Sequence, residues 1–378
     1  MPRRTSTLLT AGLGAAALLL TACGSSGSSS ATGSSSSGSG RKHPHVGLQL
    51  AIAGIDFFQE VRAGAEQGAQ DAGGDVSVTG PAALQPDAAV KQFTDLQSKA
   101  SDGIALHAAP PDFWVRPISR AAKAGVKLTT IADAPAPGSD AGIYVGDNGE
   151  RSGRVLVDKV LPYLPSRSGT VVIGNCVPGF PTQDNRIKGM VEEVKAKLPQ
   201  AKVVSTNTGI DPTQNYASWQ NLVATYRTDA IAFLGSCDTS GPSLVKLKKT
   251  NPGRYAIATF DINSGTLAGI KDGTMSLALG GSPYLIGYLG TRLLAESAAT
   301  GQPLPKGWVD TGAEVVTKTN ADSVLARESS PAARAAYYSK VMNKFFPGLS
   351  KIRTQPIGNA LADQPAATND NNPFLEAP

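Results

Sequence analysis

Two doubly wound α/β lobes, each built on a parallel sheet and facing the other across a cleft, are the fold this sequence predicts, and three observations lead there. From Val46 onward short β-rich apolar runs alternate with amphipathic helical segments, and the alternation can be counted twice. The stretch from Arg41 to Pro378 is long enough for two domains of ordinary size. Aromatic residues make up only 6 % of the chain while Gly, Ala and Val abound, a composition suited to helices layered closely on sheets.

In the first round, strands are predicted at Val46–Ala51, Val76–Thr79, Gly103–His107, Lys127–Ile131 and Ile143–Val145. Between the first two, Phe57, Val61, Ala65 and Ala69 recur every fourth residue and so share one helical stripe, which Gly73-Gly74 ends. Asp56 is placed to cap that helix, with Gln59 three residues on as in a capping box. A second helix runs from Asp87 to Ala100 with Val90, Phe93 and Leu96 inward. The second round has strands at Val171–Ile173, Lys202–Thr206, Ala230–Leu234, Ala256–Phe260 and Ser276–Leu279. Its helices fall at Asn185–Leu198, Asn215–Tyr226, Gly241–Lys249 and Ser264–Asp272. Short strand-helix connections imply parallel sheets covered on both faces, and such sheets bind ligands at the carboxyl ends of their strands. Trp114 and Trp219 lie in helical stretches and read as packing residues, with a place at the cleft mouth open to Trp114. Pro331–Phe346 can form one more amphipathic helix, whereas Ile357–Pro378, rich in Asn, Ala and Pro, is expected to be disordered.

The N-terminus carries Arg3 and Arg4, an apolar run from Leu8 to Leu20, and then Leu20-Thr21-Ala22-Cys23. That order resembles a bacterial lipoprotein signal peptide with its lipobox; the run is short for a membrane span. Residues 1–22 are then a leader, Cys23 the lipidated first mature residue, and 23–43 a Gly/Ser leash unable to bury apolar surface. The expected location is extracytoplasmic, lipid-anchored to the cell membrane. Loss of Arg3 and Arg4 takes the formal charge from +5 to +3. With no dense Lys/Arg stretch, nothing supports nucleic-acid binding.

Several strings within this frame resemble the ribose-binding type of periplasmic sugar-binding protein, over Pro44 to Val324. Ile55-Asp56-Phe57-Phe58 is similar to the family's paired-aromatic turn. Ala132-Asp133 follows the strand that ends in an acidic ligand, one position later than alignment through the strand gives. Tyr144-Val145-Gly146-Asp147-Asn148 resembles the first hinge crossing, Asn185-Arg186-Ile187-Lys188-Gly189-Met190 the string whose arginine binds hydroxyls, Thr259-Phe260-Asp261 the second acidic strand end, and Ser282-Pro283-Tyr284 a return crossing. The resemblance implies lobes of residues 44–146 plus 282–308 and 147–281 plus 309–330, joined by a multi-strand hinge, with 331–378 a helix and tail. Two departures stand out: Gly235-Ser236-Cys237-Asp238 lacks the family's Asn, and Gly281 stands where glutamine is common. Both remove amide donors, so the ligand need not be ribose.

The residues the resemblance assigns to ligand are Phe57, Phe58, Asp133, Asn148, Arg186, Asp238 and Asp261. A sugar presents hydroxyl edges and a C–H face, which calls for charge-assisted hydrogen bonds at the rim and an aromatic ring on the face. Phe58 is the favoured ring, because Phe57 shares the inward stripe. Asp56 reads first as a helix cap and only second as a ligand; helix capping is the alternative role for Asn148 and Asp238, and turn chemistry beside Ala134-Pro135 the alternative for Asp133. Cys176 and Cys237 follow the first and third strands of the second lobe, neighbours in the common strand order and within reach of a disulfide; two free buried thiols are the alternative. No catalytic residue, metal site or cofactor is expected: His43, His45 and His107 have no metal-ligand spacing, and no Gly-x-Ser-x-Gly or P-loop string occurs. Asp133 and Asp261 could pair as in a glycosidase, but the same pair serves binding. The expected function is that of a monomeric solute-binding lipoprotein of an ABC importer, carrying a monosaccharide or polyol to the permease. Presentation of a sugar or autoinducer to a membrane sensor is the alternative, prompted by Thr79-Gly80-Pro81.

Overall fold

A computed structural model describes residues 43–346 and 348–364. The leader, Cys23 and the Gly/Ser leash lie outside the described residues, as does the tail from residue 365.

The first lobe runs β1 (His45–Gln49), α1 (Asp56–Asp71), β2 (Asp75–Thr79), α2 (Pro86–Gln97), β3 (Ile104–Leu106), α3 (Val115–Lys123), β4 (Leu128–Ile131) and β5 (Ile143–Gly146). The chain then crosses into the second lobe: α4 (Gly149–Val160), β6 (Gly169–Asn175), α5 (Pro181–Lys197), β7 (Ala201–Asn207), α6 (Pro212–Tyr226), β8 (Ala230–Gly235), α7 (Ser240–Thr250), β9 (Ala256–Phe260), α8 (Ser264–Lys271) and β10 (Leu277–Gly280). It returns with α9 (Pro283–Thr300) and β11 (Gly307–Asp310), and crosses a third time to β12 (Glu314–Val316), α10 (Ala321–Glu328) and α11 (Pro331–Phe345). The first sheet has the order β11-β5-β4-β3-β1-β2 and is parallel throughout. The second has the order β12-β10-β9-β8-β6-β7, with β12 alone antiparallel. Every residue of β3, β4, β5, β8, β9 and β10 is buried, as strands covered by helices on both faces must be.

Both sheets reverse their strand order beside the first strand, between β1 and β3 in one lobe and between β6 and β8 in the other. The loops at those two switch points form the facing surfaces of the cleft, where a doubly wound sheet binds ligand. Within each lobe glycines let helices pack backbone to backbone. A Cβ at Gly287 of α9 would lie 1.9 Å from the Val61 carbonyl oxygen of α1, and one at Gly189 of α5 would lie 2.0 Å from the Glu150 oxygen of α4.

Several expectations need correction. Helix α1 begins at Asp56 itself, so this residue already has helical geometry and makes no capping bond; Ile55 is the cap position, and Gln59 donates instead to the Ala53 carbonyl at 2.5 Å. Phe58, not Phe57, joins Val61, Ala65 and Ala69 in the buried stripe. Trp114 and Trp219 are packing residues as expected, fully buried in the cores beneath α2–α3 and α6–α7. The third crossing comes after Asp310 rather than Trp308, because Val309 and Asp310 continue the pairing with Val145 and Gly146.

The described part of the tail is ordered. α11 lays Tyr338, Val341 and Met342 on the first-lobe core, with Tyr338 stacked on Tyr284 at 4.6 Å. Gln355 exchanges two backbone hydrogen bonds with Trp308 of β11. The turn at Ile357–Ala360 packs Ala360 against Tyr144 and Trp308. Asp363 and Gln364 then reach Arg154 and Arg151 of α4. Composition misleads here, since a few well-placed apolar and polar contacts order a strap whose own hydrophobicity is low.

Candidate functional site

On the first-lobe side the cleft is formed by the N-terminus of α1 and the loops after β3, β4 and β5. Phe58 is buried, and its ring lies 4.8 Å from that of His107, which in turn is 5.9 Å from Phe180 of the second lobe. His107 Nε2 and Asp133 Oδ2 are 2.8 Å apart. Ala132 takes the left-handed backbone (φ 63°), and the Asp133 N–H bonds back to the Ile131 carbonyl at 2.7 Å. That tight three-residue turn at the strand end carries Asp133 into the cleft and accounts for its displacement by one position.

On the second-lobe side stand the loops after β6, β8 and β9 and the first turns of α5. Arg186 is buried and donates through Nη1 to the Ser236 carbonyl at 3.0 Å. The same nitrogen is 3.5 Å from Asp261 Oδ2, and Nη2 is 3.9 Å from Asp147 Oδ2 of the first crossing. The guanidinium lies over the Phe260 ring at 4.1 Å. Arg186 Nε and Asp261 Oδ1 are both buried with no hydrogen-bond partner among the described residues. A Cβ at Gly281 would be 3.1 Å from Arg186 Nη2 and from Asp261 Oδ1, so the glycine leaves this ion pair uncovered. A disulfide joins Cys176 to Cys237, with Cα atoms 6.2 Å apart, and ties the loops after β6 and β8 at the switch point.

The two sides meet. Thr182 N–H donates to Asp133 Oδ1 at 2.8 Å, and its hydroxyl donates to the Ala132 carbonyl at 2.8 Å. The Asp238 carboxylate of the second lobe stands beside the Phe57 backbone N–H of the first, which favours its ionised form. Enclosed between these contacts is a hollow with about 50 Å³ open to water, lined by Phe57, Phe58, His107, Asp133, Asp147, Phe180, Arg186, Asp238 and Asp261 among others.

The model of a periplasmic binding protein domain matches residues 46–303, more than half of the chain. The chain belongs to the periplasmic binding protein family. Among solved structures, this periplasmic binding protein is similar to an ABC transporter solute-binding protein from Burkholderia graminis in complex with D-arabinose. The two are 27 % identical with a TM-score of 0.69, covering 75 % of this chain and 98 % of that one. A solute-binding protein from Agrobacterium vitis bound with α-D-tagatopyranose gives 23 % identity and a TM-score of 0.68, over 75 % of this chain and 98 % of that one. A second from Agrobacterium vitis, with bound D-fucose, gives 19 % and 0.68, over 77 % and 99 %. No curated protein matches this chain in sequence. The architecture is the type I periplasmic binding fold.

Charge in the periplasmic binding protein's hollow is predominantly acidic. Burial raises Asp261 above the ordinary carboxylate range, Arg186 pulls it back, and Asp147 adds to the rise. Asp238 is pushed up to about 7 by burial and by Asp261, against the opposing N–H groups of Phe57 and Thr239. Burial alone would raise Asp133 as well, but hydrogen bonds from His107 and Thr182 bring it below its usual value. At neutral pH the hollow thus holds a half-titrated carboxyl, Asp238, beside the ionised Asp133, a mixture of donor and acceptor groups suited to hydroxyls.

Of the sequence-assigned residues, Phe57, Phe58, Asp133, Arg186, Asp238 and Asp261 come together here. Asn148 does not: its carbonyl oxygen caps α4 by accepting from the Arg151 N–H at 2.8 Å, and its amide donates to Asn359 and Ala362 of the strap. Capping and strap contacts use the whole side chain, leaving nothing for the cleft. Sequence reasoning did not single out Asp147, Phe180 or Thr182 as site residues. Asp147 sat inside the hinge string already quoted, while Phe180 and Thr182 flank Pro181, which opens α5 and so gave a start signal for a helix that was read as beginning at Asn185.

Proposed function

We propose that this chain is an extracytoplasmic solute-binding lipoprotein that takes a monosaccharide or polyol between its lobes and delivers it unchanged to the permease of an ABC importer. One observation carries the reading: a buried Arg186–Asp261 pair with free hydrogen-bonding atoms, with Asp238 beside it, faces Asp133 and the Phe58 ring across an interlobe hollow. The sugars in the solved relatives, D-arabinose, tagatopyranose and D-fucose, are of the class such a constellation suits. No group among these residues forms a nucleophile–base pair, and the role fits binding rather than turnover. Cys23 serves as the lipid anchor and the Gly/Ser leash spaces a monomeric domain from the membrane, its likeness to a lipobox being the support.

The mechanism is closure about three crossings. The hollow is narrow and the lobes already touch through Thr182–Asp133 and Asp238–Phe57, so a ligand enters an opened form and then replaces lobe-to-lobe contacts with its own. It stabilises the closed form by its differential affinity, and the closed form is what the permease reads. A thermal-shift screen of the mature chain against pentoses, hexoses and polyols tests this, since a ligand of the folded state raises the melting temperature. For a hit, Arg186→Ala should weaken binding by about 2–3 kcal/mol, as for loss of a charged hydrogen-bonding partner. A panel with no hit, or an unchanged titration with Arg186→Ala, would refute the proposal.

A further inference from the structure

A second, larger space adjoins the hollow. It measures about 530 Å³ and is lined from the first lobe by Gly54, Ile55 and Asp56, and from the second by residues of α6, α7 and the loops before α7 and α8. Ile55 and Asp238 line both spaces, so the two adjoin at these residues. Because both lobes contribute walls, the groove belongs to the closed arrangement. A small-molecule site usually offers roughly 300–1,000 Å³; the inner hollow, at about 50 Å³, falls short alone, whereas the groove is within that range.

The walls of the groove are amphipathic. Pro212, Tyr216 and Pro242 supply apolar surface, and the half-buried Tyr216 ring has the Lys246 ammonium 4.7 Å from its centre. Asp56, Thr213 and Lys246 are exposed around the rim. Asp56 lies in the first turn of α1 without capping it, so its exposed carboxylate remains open to the groove. Asp238 is buried, has the backbone N–H groups of Phe57 and Thr239 beside its carboxylate, and stands at the junction of the two spaces.

Resting on the sugar-binding reading above, we propose that the ligand is a two-part molecule, a glycoside or disaccharide: one sugar ring occupies the inner hollow, and its anomeric substituent passes Asp238 into the groove and lies on Tyr216. An aromatic ring with flanking prolines accepts the C–H face of a second sugar or an aryl aglycone, while Lys246 and Asp56 serve hydroxyls.

Calorimetric titration of the mature chain tests it. The probes are D-glucose, D-galactose, D-xylose and L-arabinose, each beside its methyl and phenyl α- and β-glycosides, together with cellobiose, lactose and xylobiose. The expected result is that one two-part ligand binds at least tenfold more tightly than its parent sugar. Tyr216→Ala and Lys246→Ala, both in the groove and neither lining the inner hollow, should each abolish most of that gain while leaving the affinity of the parent sugar within twofold. Equal affinity for parent and every derivative, or two-part binding unaffected by both variants, would overturn the extension and leave the monosaccharide reading standing. Failure of every probe to bind a folded protein would remove both.

Discussion

Glu60 on α1 sits where the two lobes and the strap meet, and its titration offers a quantitative test of that junction. Its carboxylate is 3.8 Å from Arg334 Nη2 of α11, and Arg334 is itself held by Glu328 of α10 at 2.5 Å. Burial, and then the Glu328 charge, raise Glu60 from 4.5 to about 8 against the pull of Arg334 and Arg327. At 1.36 kcal/mol per pH unit this corresponds to about 5 kcal/mol of preference for the neutral acid in the fold. The side chain keeps 20 % of its exposure, and solvent screening reduces the figure, so about 2–3 kcal/mol is expected. The sign follows from linkage: below pH 4.5 the acid is neutral folded and unfolded, whereas between 4.5 and 8 only the unfolded chain ionises, so stability present at low pH is lost as pH rises through 8. Glu60→Gln replaces the neutral acid by a near-isostere and removes that loss. Urea unfolding at pH 4.5, 6, 7.5 and 8.5 should find the variant equal to the parent at pH 4.5 and about 2–3 kcal/mol more stable at pH 8.5. A variant less stable than the parent at pH 8.5 would mean that Glu60 is ionised and paired with Arg334, and would refute the argument.

Two further outcomes follow from the packing. The Cys176–Cys237 bridge closes a loop of 61 residues, worth about 4 kcal/mol on a chain-entropy basis, so Cys176→Ser/Cys237→Ser should lower the melting temperature by about 10 °C; finding both thiols alkylated in the unreduced, denatured protein would show that no bridge exists. Gly189→Ala places a methyl against the Glu150 carbonyl and forces α5 away from α4, carrying with it Arg186, which lies one turn before Gly189, for a loss of about 1–3 kcal/mol and a tenfold or greater loss of ligand affinity at unchanged far-ultraviolet circular dichroism; intact affinity would show that Arg186 is held by Ser236 and Phe260 alone.

The regular elements were legible because buried parallel strands read as continuous apolar runs and their helices as periodic stripes. β9 was located to the residue, and the other nine strands of the two rounds within two residues at each end. What escaped was whatever depends on contact between segments distant in sequence. Nothing local distinguishes Asn148 as a cap braced by Asn359 from Asn148 as a cleft residue, because both positions suit a polar side chain after a strand. Likewise Phe57 and Phe58 are adjacent, and only the start of α1 decides which one faces the core. The strap was lost for a related reason, since its order comes from Trp308, Tyr144 and α4 rather than from its own composition.

The distribution of strain argues for where the function resides. Among the described residues, the non-glycine positions with left-handed backbone are Ala132, Asp261 and Ser282, at the ends of β4 and β9 and at the second crossing. Each such residue costs roughly 1–3 kcal/mol relative to a relaxed conformation. The first two line the hollow and set the direction of Asp133 and Asp261, and the third follows Gly281, which lies against the Arg186–Asp261 pair. The buried, unpartnered Arg186 Nε and Asp261 Oδ1 add a desolvation cost of about 1–3 kcal/mol each. Gly281 leaves their ion pair bare where a longer side chain would have covered it. Strain and unsatisfied charge thus coincide at one hollow, and a ligand hydroxyl that donates to Asp261 while accepting from Arg186 recovers in binding what the fold gave up. The same logic explains why removal of Arg186 should cost more than one hydrogen bond: it would also leave Asp261 and Asp147 facing each other with no cation between them.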